Sequence, residues 1–151
     1  MDKELFFKVD YISLLKQLNG NEKGSWGVLS SQGMIEHMSD SIAIASLRIV
    51  HALHTPPEQV ERMKSFALSE KEFKPGTKNV LMTEEAAPLR NKNIDEAIEE
   101  LKEEIAEFLN YYKHNPDSKV TNPFFGDLNY EEWMHLLYKH AIHHLKQFNL
   151  I

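Results

Sequence analysis

The chain has no cysteine, which excludes disulfides, iron–sulfur clusters, thiolate zinc sites and cysteine nucleophiles. It also has no run of about 18 apolar residues, the length a membrane helix needs. Its N-terminus, Met1-Asp2-Lys3-Glu4-Leu5-Phe6-Phe7, lacks the basic region and apolar stretch of a signal peptide. A soluble cytoplasmic protein with no membrane partner is expected. Positive charge is scarce and scattered: 17 basic residues stand against 23 acidic ones, a formal net charge of -6. A duplex-binding surface needs a concentrated positive footprint, so no nucleic-acid partner is expected. No stretch alternates convincingly as a strand, nothing repeats, and no glycine-rich phosphate loop, Ser-His-Asp spacing or carboxylate pair for sugar chemistry is present.

What remains is helical periodicity. Residues 3–18 carry Leu5, Phe6, Val9, Ile12, Leu15 and Leu18 at helical spacing, and Asn19-Gly20 ends the run. Residues 21–29 form a loop that places one large ring, Trp26. Ser30 or Ser31 can cap a second helix to about His54, apolar on most sides through Ile44, Leu47 and Val50 and therefore expected to be buried on most sides. Thr55-Pro56-Pro57-Glu58 reads as a capping threonine followed by proline at the first helical position, restarting a short helix to about Leu68. Residues 69–92 show no sustained period and contain Lys74-Pro75-Gly76 and Ala87-Pro88; a connection this long in a compact domain suggests a lid or pocket wall. Asn93-Ile94-Asp95-Glu96 is a capping box opening a helix whose stripe runs Ile94, Ala97, Ile98, Leu101, Ile105, Phe108, Leu109 and Tyr112. Asn129-Tyr130-Glu131-Glu132 caps the last helix, with Trp133, Leu136, Leu137, His140, His144 and Phe148 inward. The 151 residues are read as a single all-α domain, residues 1–151, built on four principal helices.

Eight histidines are present, and four fall between positions 135 and 144. On a helix His140 and His144 lie one turn apart, about 6 Å along the axis, the spacing with which two imidazoles grip one ion. His37, on an apolar stretch of the second helix, is the candidate third ligand, leaving an open fourth position. The alternative is that these are buried, hydrogen-bonded histidines with no metal. His143 is rotated about 100° from His144 and suits a rim position; His135 is about 140° from His140 and suits a solvated or capping role. His51 and His54 are roughly 21 to 26 Å from His37 along one helix, so they belong at its end. His114 sits in a polar turn. Asp40, one turn after His37, can orient that ring, and Gln147, near His144, can orient a ligand or substrate. No glutamate follows His140 as in zinc proteases, so the motif supplies no general base. Trp26, Phe73, Phe124 and Phe125 are loop aromatics that can wall a pocket or simply fill core.

Trp26-Gly27, Met34-x-x-His37, Asn122-Pro123-Phe124-Phe125-Gly126-Asp127-Leu128, Glu132-Trp133 and His140-x-x-His143-His144-Leu145-x-Gln147-Phe148 together resemble the DinB/YfiT-like superfamily, and most closely one branch catalogued only as a domain of unknown function. The resemblance covers nearly the whole chain. It implies a four-helix bundle with up-down-down-up connectivity and a divalent metal, zinc or nickel, on His37, His140 and His144. Relatives include bacillithiol- and mycothiol-dependent transferases, isomerases and presumed hydrolases, and many are dimers. The expectation is a metal-dependent hydrolase or low-molecular-weight-thiol transferase acting on a small molecule, with catalytic residues unassigned and a homodimer as one way to cover the apolar second helix. A non-catalytic binding or stress-response module with a structural metal is the alternative.

Overall fold

The structure is a computed structural model and describes residues 1–74 and 87–151. It is mostly helical, with a small two-stranded sheet. The elements are α1 (Lys3–Leu5), a π-helical turn (Phe6–Asp10), α2 (Tyr11–Leu15), α3 (Ser31–Ala45), α4 (Pro57–Leu68), α5 (Ile94–His114), β1 (Val120–Asn122), β2 (Gly126–Leu128) and α6 (Tyr130–Gln147).

The first helix runs continuously through α1, the π turn and α2, because every junction residue keeps right-handed helical angles. The π turn inserts one residue per turn and shifts the apolar stripe. Leu5 and Val9, expected inward, are exposed, while Phe6, Phe7 and Tyr11 are buried and pack their rings against one another.

The second helix ends at Ala45, well short of His54. Leu47 adopts a left-handed conformation with φ of 64°. Its N–H donates to the Ile44 carbonyl at 3.2 Å, and the Arg48 N–H to the Ala43 carbonyl at 2.9 Å. This is the double bond pattern of a Schellman stop, with leucine where glycine is commonest. The Arg48 guanidinium then reaches Glu104 on α5 at 2.9 Å, fixing the exit. Leu47, Val50 and Leu53 are consequently exposed, the opposite of the burial their helical spacing suggested. His51 and His54 lie in the connection that follows, off the helix.

Other caps follow or depart from expectation in local ways. Ser30 caps α3 by accepting from Gly33 N–H. Thr55 does not cap α4: Pro56 occupies that position, Pro57 is the first helical residue, and the Thr55 hydroxyl turns to Met63 Sδ. Asn93 accepts from Glu96 N–H, but the Glu96 carboxylate accepts from Lys92 N–H and leaves the box half made. The full reciprocal box forms at Asn129 and Glu132.

Residues 120–128 form a hairpin although no strand was expected from the sequence, with Val120 opposite Leu128, Thr121 opposite Asp127 and Asn122 opposite Gly126. Three-residue strands are too short for their alternation to register against helix signals. Asn122 Oδ1 accepts from Phe124 and Phe125 N–H and closes the turn. Trp133 Nε1 donates to the Val120 carbonyl at 3.1 Å, so the hairpin is locked to the first turn of α6. The core gathers the inward faces of α3, α5 and α6 around Met34, Ile35, Leu101, Leu137 and Leu145. This packing holds α3 beside α6 and sets His37 against His140 and His144. No described helix is long and apolar enough to cross a membrane. Much of the 69–92 connection, including Pro75-Gly76, lies outside the described residues.

Candidate metal centre

Two helices and one loop build the site. α6 carries His140 and His144 on its inward stripe, 4 % and 0 % exposed, and α3 brings His37, which is half-buried. The three Nε2 atoms converge: His37 to His140 at 3.1 Å, and His144 to His140 at 2.9 Å. All three ligand atoms lie within 4.8 Å of one another. A tetrahedral ion with metal–nitrogen bonds of about 2.0–2.1 Å spaces its ligands by about 3.3 Å, so the cluster matches that set with small adjustments.

The protonation pattern argues in the same direction. Gln147 Nε2 donates to the Trp26 carbonyl at 2.7 Å, which leaves Gln147 Oε1 as the acceptor facing His144 Nδ1 at 2.6 Å. His144 therefore carries its proton on Nδ1 and presents a lone pair from Nε2. A proton on His140 Nε2 can serve only one of its two imidazole neighbours. Three buried nitrogens cannot all satisfy one another by hydrogen bonds, whereas a cation at their centre satisfies all of them.

Burial pushes the His37 pKa down to about 4 and the His144 pKa down to about 3, with the neighbouring histidines adding to the effect and Asp40 opposing it at His37. Burial, and then the charges of the other histidines, push His140 well below its ordinary value. All three are neutral at pH 7, the form that binds metal.

The remaining candidates take distinct places. Gln147 is fully buried and orients His144. Its setting depends on residues 24–26: Ser25 N–H donates to the Gln147 carbonyl at 2.7 Å, and a Cβ on Gly24 would lie 2.6 Å from Gln147 Cγ. Glycine is thus required at 24 by close approach. His143 points away from the three converging nitrogens, accepting from Trp26 Nε1 at 3.4 Å and donating from Nδ1 to the Phe73 carbonyl at 3.2 Å. Its ring still stacks edge-on to His144 at 5.2 Å between centroids. Phe73 is buried and lies 6.5 Å from the His140 ring, covering that side. Asp40, expected to accept from the His37 ring, instead pairs with Arg90 at 2.9 Å and reaches His37 through its charge. His135 contacts the Ser69 carbonyl at the end of α4 at 3.1 Å, a capping contact. His114 bonds its own helix at Asn110, and Phe125 is core while Phe124 packs on His54.

Glu36 escaped the sequence reading, since a glutamate on a helix reads as solvated. It is buried and accepts from Gln32 Nε2, Arg90 N–H, Asn91 N–H and Asn91 Nδ2 at 3.0 to 3.2 Å. Burial pushes its pKa up, but these bonds outweigh that and hold it below the usual carboxylate range. It ties residues 90–91 to α3 directly beside His37. Gly24 and Ser25 were likewise missed as individuals; the glycines around Trp26 were the available signal.

A family model described as the DinB superfamily matches residues 29–148. No curated protein and no solved structure matches the chain.

Two outcomes follow from this geometry. Replacing Gln147 with leucine frees the His144 tautomer and should weaken zinc binding by roughly 10- to 100-fold in a chelator competition assay, and unchanged affinity would remove Gln147 from the site. In metal-free protein, histidines neutral when folded become protonated on unfolding below about pH 6.5, so stability falls as pH falls from 6.5 toward 4. Urea unfolding should show a loss of up to about 1.4 kcal/mol per pH unit for each of His140 and His144. A flat profile between pH 7 and 5 would contradict their buried neutral state.

Proposed function

The chain belongs to the DinB superfamily, and we propose that it is a metal-dependent enzyme holding one divalent ion, zinc or nickel, on the Nε2 atoms of His37, His140 and His144. The observation that carries this reading is the convergence of three neutral imidazole nitrogens, one with its lone pair fixed inward by Gln147. The reaction is hydrolysis or transfer of a low-molecular-weight thiol on a small molecule. The bundle takes the up-down-down-up order that the family resemblance implies.

A divalent ion on three imidazoles with an open position supplies Lewis acidity, lowering the pKa of bound water or thiol toward neutrality. The chain supplies the rest. His140 and His144, closed in by core packing, fix two ligand positions on one helix, while half-buried His37 defines the side from which a substrate approaches. Gln147 keeps the His144 proton on Nδ1, and the Trp26 carbonyl keeps the Gln147 amide from flipping. Phe73, beside the His140 ring, and His143, beside the His144 ring, shield the histidines from water on that side, strengthening electrostatic interactions at the nitrogens. Asp40, half exposed and paired with Arg90, places negative charge near His37.

Elemental analysis of untagged protein tests this reading. About one zinc or nickel per chain in the wild type, lost in both His37→Ala and His144→Ala, is the expected result. Wild-type protein that takes up neither metal after incubation and gentle dialysis contradicts it.

A further inference from the structure

A cavity of about 270 Å³ lies on the flank of α6, away from the three converging nitrogens. Its α6 residues other than His143, among them Lys139, Ile142 and Lys146, sit roughly 100–160° around the helix from His140. His143 and Phe73 stand between it and the triad: both line the cavity, and both rings meet the triad from the other side. Among the described residues it therefore has its own walls and shares that partition with the histidines.

Trp26, Phe73, Tyr138 and Ile142 give the cavity an aromatic and apolar part, and charged residues and histidines line the rest. Rings arranged around a slot favour a flat partner, which gains both area and edge or face contacts. The charges around the slot decide the rest. Lys146 and Glu72 neutralise each other at 2.6 Å. Lys139 spends its three N–H donors on the carbonyls of Phe66, Ala67 and Ser69, and its ammonium lies 4.8 Å from the Phe73 ring centroid. Those partners are neutral, so the positive charge of Lys139 remains. Lys3 adds a second, its ammonium 5.6 Å over the Tyr138 ring at the edge of the slot. Glu70 offsets one charge, and His135 and His143 are committed to backbone carbonyls. Among the described lining residues the balance is positive, in a chain whose net charge is negative.

We propose that this cavity is a small-molecule site separate from the histidine triad, and that it takes a flat aromatic carboxylate. The ring lies between Trp26, Phe73 and Tyr138, and the carboxylate faces Lys3 and the field of Lys139. The proposal does not depend on a metal at the triad.

Naphthalene-2-carboxylate and its neutral isostere naphthalene-2-carboxamide are the probes, titrated into the full chelator-treated chain at low salt. Trp26 emission is the readout, because Trp133 is buried in the core and held by Val120. The expected result is saturable one-to-one binding, with the carboxylate at least fivefold tighter than the amide. That preference should vanish in Lys3→Glu, and both probes should be lost in Ile142→Trp, which fills the slot. Circular dichroism establishes that the variants are folded; if Ile142→Trp is not, the Lys3→Glu comparison decides. No saturable change, equal binding of the two probes, or a carboxylate preference unaltered in Lys3→Glu overturns the proposal. Metal content is measured separately, so failure here and failure of the triad reading are distinguishable.

Discussion

The Gln147 side chain is the joint on which the site turns. Its amide can face only one way, since its nitrogen must meet the Trp26 carbonyl and its oxygen must meet His144 Nδ1. That choice passes along a chain of single options. The His144 proton is fixed on Nδ1, its Nε2 lone pair is aimed at His140, and His140 is left with two imidazole neighbours and at most one proton to share between them. An unmatched buried polar group costs about 1–3 kcal/mol, so the apo arrangement carries a penalty that a central cation would relieve.

Several parts of the fold hold that joint and the histidines around it in place. The loop carrying Gly24, Ser25 and Trp26 can approach α6 only because residue 24 has no side chain. Asn149 Nδ2 bonds Ser25 Oγ at 3.0 Å, so three hydrogen bonds join the loop to the end of α6 and the residues after it. On the α3 side, Glu36 performs the matching task, drawing residues 90–91 onto the helix turn that bears His37. The Schellman stop at Leu47 and the Arg48 pair with Glu104 end α3 and bind it to α5. The hairpin, held through Trp133, sets the start of α6 and hence the angular position of its histidines. The triad is thus supported from four parts of the chain, the loop at 24–26, residues 90–91, α5 and the hairpin.

The α5 and α6 helices and the pairing of His140 with His144 were legible because long apolar stripes with Asn caps dominate any competing signal. His37 could be selected because it lies on an apolar helical stretch distant in sequence, while His51 and His54 were expected at that helix's end, too far along it to share an ion with His37. The end of α3 was not legible. Ile44, Leu47 and Val50 continue a helical period, and the left-handed turn at Leu47 depends on tertiary anchoring of Arg48 by α5, which no local propensity encodes. The π turn was invisible for a related reason, since one inserted residue alters the phase of a stripe without altering its composition. Asp40 was assigned to His37 by spacing alone, but Arg90, fifty residues away, takes its carboxylate. The roles of Gly24 and Glu36 likewise arise only from long-range contact.

The measurement that tests the central claim most directly is X-ray absorption spectroscopy at the metal edge of zinc-loaded protein. Three imidazole nitrogens at about 2.0–2.1 Å and one further light-atom ligand at similar distance are expected in the wild type, and no such shell in His37→Ala, which loses the metal. A first shell without imidazole scattering, or one indistinguishable between the wild type and His37→Ala, would contradict that claim.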